Sequence, residues 1–160
     1  MPDFRTLLVF ASTLFLAFVL ERLPMPEILS WLQPAWVILA VTILVLRAPT
    51  LFGLWLAIPL GLMLDAERGS YLGLHILIIA LHIYLLQVLY KRIVMFNFIQ
   101  QMAVVFLLVV LQQMLTYWVL SVLTNSTRPV DLWLPALTSA MMWPWVYALV
   151  STAMRKVSHQ

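Results

Sequence analysis

The chain has 160 residues, 64% of them hydrophobic and 9% charged, with nine Lys and Arg against six Asp and Glu. Soluble domains are about 45–50% apolar and about 25% charged, so this composition is that of an integral membrane protein. The absence of cysteine excludes disulfides and thiolate metal sites, and the thinly spread positive charge lacks the basic face that nucleic-acid binding needs.

A membrane span needs roughly 20 apolar residues, fewer where neighbouring helices shield it. Six apolar runs meet or approach that length, over residues 6–20, 36–46, 51–64, 71–90, 102–123 and 132–154. The first superficially suits a signal peptide, but it runs into Glu21-Arg22-Leu23-Pro24 without a small-x-small cleavage site, so it reads as a retained first helix. Two prolines in "ERLPMPE" break it. Pro34 suits the first turn of the second helix, where its missing N–H costs nothing. Arg47-Ala48-Pro49 turns the chain into the short third run, which Pro59 is expected to kink. The second and third runs are shorter than a full span and require shielding or extension into their flanks. The polar stretches between runs are too short for a soluble unit, so the chain is one domain, 1–160.

Basic residues set the orientation. With the N-terminus inside, Arg5, Arg47, Lys91, Arg92, Arg155 and Lys156 lie on the cytoplasmic side, and Arg22, Arg68 and Arg128 lie outside. Of the acids only Asp3 is inside; Glu21, Glu27, Asp65, Glu67 and Asp131 are outside. The expectation is six transmembrane helices with both termini cytoplasmic.

The stretch "GLMLDAERGSYLGLH" places Asp65, Glu67 and Arg68 between two apolar runs. Gly53, Ala57, Gly61 and Asp65 recur every fourth residue and therefore share one helix face. Small residues at that spacing let a second backbone approach closely, most often within the same bundle. Gly69 and Gly73 repeat the interval beyond the turn. Asp65 is expected to fix the turn through N–H groups of "ERGS", with Glu67 and Arg68 mostly solvated. His75 and His82, seven apart, share a face but are too widely spaced to ligate one metal from a single helix. Packed or interfacial histidines are the expectation. No nucleophile, base and orienting group can be assembled, so neither an enzyme nor a cofactor is expected.

Gln112 and Gln113 fall near the middle of the fifth helix, where amides favour a partner helix or a polar pocket over lipid. Trp31, Trp36, Trp133 and Trp143 suit interfacial anchoring. In "WPW" at 143–145, Pro144 frees a carbonyl that a neighbour must satisfy. Residues 125–127, Asn-Ser-Thr, match the glycosylation acceptor pattern, without meaning in a bacterial protein.

With "QPAW" opening the second helix, "GLMLDAERGSYLG" closing the third and "WPW" in the sixth, the chain resembles the rod shape-determining MreD family. The likeness in span layout covers essentially its whole length. The most specific element is Gly61, Asp65, Gly69 and Gly73 at fourfold spacing. Gln33 departs from the Arg that relatives often carry before the proline. The resemblance implies a non-enzymatic subunit of the bacterial elongation machinery in the cytoplasmic (inner) membrane. It would bind MreC, a protein with one membrane helix and a periplasmic domain. Through MreC it would act on the elongation transpeptidase and RodA, in concert with MreB. The family also looks similar in fold to the S-components of energy-coupling-factor vitamin transporters. A small-molecule-binding transporter subunit is therefore the alternative. Gly53, Ala57, Gly61, Asp65, Gly69, Gly73, Pro34, Trp36, Gln112, Gln113, Trp143 and Pro144 are the candidate packing or partner-binding residues.

Overall fold

The computed structural model describes residues 4–24, 26, 32–69, 71–124 and 133–158. Asp3, Glu27, Trp31, the acceptor pattern at 125–127, Arg128 and Asp131 lie outside the described residues. Within them the regular structure is helical throughout, with six α-helices: α1 (Phe4–Glu21), α2 (Trp36–Arg47), α3 (Ala57–Arg68), α4 (Leu74–Met95), α5 (Phe98–Thr124) and α6 (Trp133–Ser158). A 3-10 turn, Leu54–Leu56, leads into α3.

The helices run up and down, so that the ends of α1, α3 and α5 lie with the starts of α2, α4 and α6. Arg22 at the end of α1 pairs with Glu67 near the end of α3. At the opposite end, Arg47 closes α2 against Ser151 of α6. Charge segregates accordingly. Arg47, Lys91, Arg92 and Arg155 are exposed at one end, and every described acid lies at the other.

The second helix is the axis of the bundle. Every residue from Val37 to Leu46 is buried, enclosed by α1, α4 and α6. At about 1.5 Å per residue its 12 residues reach only about 18 Å. The shielding that its short run required is thus supplied. It is apolar on every side because it has no outward face. α3 is half of that case: Leu60, Gly61, Leu64 and Asp65 are buried, while Ile58, Leu62 and Met63 face outward. The exterior is apolar as well. Phe15, Trp118, Val122, Trp145 and Leu149 are each between 65% and 73% exposed. An exterior of that kind is not what water favours over so large an area. Two helices, α4 and α5, are long and apolar enough to cross a membrane.

Both expectations about proline placement shift. Pro34 precedes α2, whose N-cap is Ala35. Pro59 falls in the first turn of α3 instead of its middle, where its N–H would have no intrahelical acceptor anyway, so it starts the helix and does not kink it. Pro144 does lie inside α6.

Candidate functional site

Asp65 is the buried centre of the end at which α1 and α3 finish. It is 1% exposed. Its Oδ2 accepts the N–H of Gly73 at 2.7 Å. Its Oδ1 accepts the N–H of His75 at 3.1 Å and pairs with His75 Nδ1 at 2.7 Å. Gly73 is the N-cap of α4, so the carboxylate from α3 satisfies N–H groups that the helix start leaves without intrahelical partners. Its negative charge also meets the positive end of the helix dipole. Among the described residues, the N–H groups that reach its carboxylate are those of Gly73 and His75. The sequence spacing of ten residues across a turn hides the Asp65–His75 pair from any helical periodicity.

The four glycines of the chain flank or lie within α3 and the turn that follows it, and they do different things. A Cβ on Gly61 would sit 2.5 Å from both the N and the Cα of Ile76, so α4's backbone crosses α3 there in direct contact. Ala57, at 1% exposure, continues that face. Gly53 lies ahead of the 3-10 turn and so leaves the helical stripe. Gly69 (φ +57°) closes α3 and Gly73 (φ +101°) opens α4, with open space where a Cβ would go. They serve left-handed backbone, not close packing. The fourfold spacing thus joins two separate requirements. Glu67 is less solvated than expected: its side chain is 15% exposed and bonds Arg22 Nε at 2.7 Å.

A second carboxylate does related work on the neighbouring helix pair. Glu21 Oε2 accepts the Val37 N–H at 3.3 Å, and the Ala35 N–H reaches Ser139 Oγ of α6 at 2.9 Å. Between them the start of α2 is capped without a side chain of its own. Gln33, just before α2, donates to the carbonyls of Leu20 and Glu21, closing the end of α1 in return. A cavity of about 190 Å³ lies beside these groups, lined by Glu21, Gln33, Pro34, Leu64, His75, Gln112, Gln113 and Thr116 among others. The mid-helix amides Gln112 and Gln113 thus border a polar pocket; Gln112 also borders a small apolar cavity beside Ile78 and His82, and its Oε1 is buried with no hydrogen-bond donor among the described residues.

The other end of the bundle holds a neutral network. Buried Gln101 donates to the carbonyls of Ile93 and Phe96, which end α4, and accepts the Trp143 indole N–H at 3.1 Å. Trp143 is fully buried, so it is a core residue and not an interfacial anchor. The sequence offered a signal here: a pair of amides, Gln100 and Gln101, in the first turn of an otherwise apolar helix. Trp36 is half-buried and Trp133 is exposed, stacked on Phe106. Arg47 lies over the Tyr147 ring, 4.7 Å from its centroid. In the core, His82 meets Thr42 at 2.9 Å. Thr42 spends its only proton on the Ile38 carbonyl, so His82 Nε2–H is the donor. No group of three or more His, Asp or Glu is placed to hold a metal among the described residues.

Along the outside, a groove of about 720 Å³ runs between α1, α2 and α6. Leu16, Ala17, Trp36, Ala40, Trp145 and Leu149 form much of its wall.

The chain matches the family model for the rod shape-determining protein MreD over residues 3–153. The rod shape-determining protein MreD of Haemophilus influenzae (strain ATCC 51907 / DSM 11121 / KW20 / Rd) is 32% identical to it over 146 residues, covering 91% of this chain and 90% of that protein. No solved structure matches.

Proposed function

We propose that this chain, which belongs to the rod shape-determining protein MreD family, is a non-enzymatic six-span scaffold of the cell-elongation machinery. It works in the bacterial inner membrane and binds MreC. The observation that carries the reading is the family match along nearly the whole chain. Two carboxylates support it in kind, because buried Asp65 and half-buried Glu21 cap helix starts. The segregation of exposed Arg47, Lys91, Arg92 and Arg155 to one end favours that end as cytoplasmic.

The MreC helix needs a surface. The stripe of Ala57 and Gly61 is already occupied by α4, so the groove between α1, α2 and α6 is the better place for it. Its small lining residues, among them Ala17, Ala40, Ala148 and Thr152, let a helix backbone come close. Ala148→Trp and Thr152→Trp, which fill the groove at exposed positions, should abolish MreC co-purification from native membranes and round the cells at normal protein abundance. Val88→Trp, on an exposed face outside the groove, should do neither. MreC recovery at wild-type level with both groove variants would move the interface elsewhere. A transporter component is the second reading, favoured by the polar cavity alone. Its mark would be ATPase-bearing subunits, in place of MreC, in the same pull-down.

A further inference from the structure

We propose that the groove between α1, α2 and α6 selects its helix through a hydrogen bond at mid-membrane, in which Trp145 donates its indole N–H to a side-chain oxygen of the docked helix. Resting on the groove as the MreC site, this adds what the MreC helix must carry: Ser, Thr, Asn or Gln in its central turns.

Trp145 stands at the middle of the bundle's height. Ser139 of α6 accepts the N–H of Ala35 at the start of α2, and Ser151 meets Arg47 at its end. Trp145 is six residues from each, about 9 Å along the helix at about 1.5 Å per residue. Water and head groups are therefore about equally far in both directions. Tryptophans favour the interfaces, where the indole N–H is wetted. Trp145 departs from that rule: it is 73% exposed, lines the groove and has no acceptor for its N–H among the described residues. Trp55 and Trp143 do have theirs, the Leu51 carbonyl and Gln101. A donor left unpaired in hydrocarbon is desolvated with nothing returned, and an indole lacks the long stem by which Lys and Arg reach the rim.

The groove does not satisfy this donor from its own walls. Thr13 and Thr152 give their hydroxyl protons to Val9 and Ala148 of their own helices, and around them the described wall is apolar apart from Trp36. Trp36 opens α2 at the outer rim, within reach of water. An acyl chain carries no acceptor at this depth. An all-aliphatic helix carries none either, because its carbonyls are bonded internally. Small wall residues such as Ala17, Ala40 and Ala148 admit a helix backbone, so the complement is a helix with one polar oxygen at mid-span.

The test places the full chain in liposomes with the MreC membrane helix as a synthetic peptide and reads binding by energy transfer. Trp145→Phe keeps an aromatic ring and should weaken binding about three- to tenfold, the range of one interhelical hydrogen bond in lipid. Trp118→Phe, an exposed indole outside the groove, should leave it unchanged. Each central Ser, Thr, Asn or Gln of the peptide is then replaced in turn by an aliphatic residue. One replacement should lose the same factor against the wild-type chain and nothing further against Trp145→Phe. Unaltered affinity with Trp145→Phe, while Ala148→Trp abolishes binding, would overturn the hydrogen bond and leave the groove as the MreC site. A Trp145→Phe loss that adds in full to every peptide replacement would also overturn it, the ring then being packing alone. Affinity unaltered by Trp145→Phe and Ala148→Trp alike would overturn both readings. Self-association of the chain without peptide, lost in Trp145→Phe, would overturn the choice of occupant in favour of a second copy.

Discussion

The α1–α2 and α3–α4 pairs solve one problem at different depths of burial. In each, the later helix begins without a capping side chain of its own, and a carboxylate from the helix before supplies the acceptor. Asp65 is saturated, with two backbone N–H groups and an imidazole around it at 1% exposure. Glu21 is half-buried, accepts the Val37 N–H at the longer distance of 3.3 Å, shares the cap with Ser139 and borders a cavity. The difference follows from backbone distance. Gly61 brings α3 against Ile76 directly, so the carboxylate four residues on is pressed into the start of α4. α1 has no glycine to allow such contact, and Gln33 and a cavity lie where it meets the start of α2. A carboxylate on the preceding helix can thus stand in for the cap that a helix start lacks, deeply buried where the backbones touch and half-exposed where they do not.

The largest expected effect tests the close contact itself. Gly61→Leu should destabilise by about 3 kcal/mol, the upper part of the overpacking range, because the obstruction is backbone and cannot rotate away. Even Gly61→Ala should lower Tm and membrane abundance, since its Cβ alone falls 2.5 Å from Ile76 Cα. Normal abundance of Gly61→Leu would mean that α3 and α4 do not touch there. Next comes the saturated cap. Asp65→Leu strands the Gly73 and His75 N–H groups and should cost about 2–3 kcal/mol. Asp65→Asn keeps one acceptor oxygen and should cost about half as much, read from Tm in detergent. Equal losses would show that charge, not hydrogen bonding, holds the turn.

That contrast was partly legible in the sequence. Gly61 and Asp65 share a face by simple helical geometry, so the close approach and its neighbouring carboxylate could be read. Gly69 and Gly73 could not be told from packing glycines, because spacing carries no information about the sign of φ. The Asp65 partner was missed because His75 lies across a turn, where periodicity ends. The need to shield α2 could be read from its short run; α5 is long and largely apolar, yet Leu107, Met114 and Trp118 are exposed. In lipid both faces of a helix are apolar, so pattern cannot separate core from surface. Gln101 shows the remedy. An amide inside such a helix marks the inward side, and it finds the indole of Trp143.

The open cap should respond less. Glu21→Leu removes the half-exposed acceptor of the Val37 N–H, while Ser139 keeps its share of the cap, so about 1 kcal/mol is expected. A loss matching Asp65→Leu would make the two caps equivalent and end the distinction drawn between the pairs. Measuring both in one detergent, by the same unfolding midpoint, is sufficient.

The smallest effect belongs to the contact that joins the two pairs. Arg22 Nε lies 2.7 Å from Glu67 Oε1, which looks strong on distance. Exposure decides otherwise: the arginine side chain is 66% exposed, and such pairs are screened and must hold long side chains still, leaving about 0.2–1 kcal/mol. A double-mutant cycle with Arg22→Ala and Glu67→Ala should therefore return a coupling of about 0.5 kcal/mol that shrinks as salt is raised. Glu67 is the more buried partner at 15%, so Glu67→Ala alone should lose more than Arg22→Ala through packing at the end of α3, even where the coupling is small. A coupling above about 2 kcal/mol, unaffected by salt, would place the pair in a dry interface and make the two helix pairs one electrostatic unit.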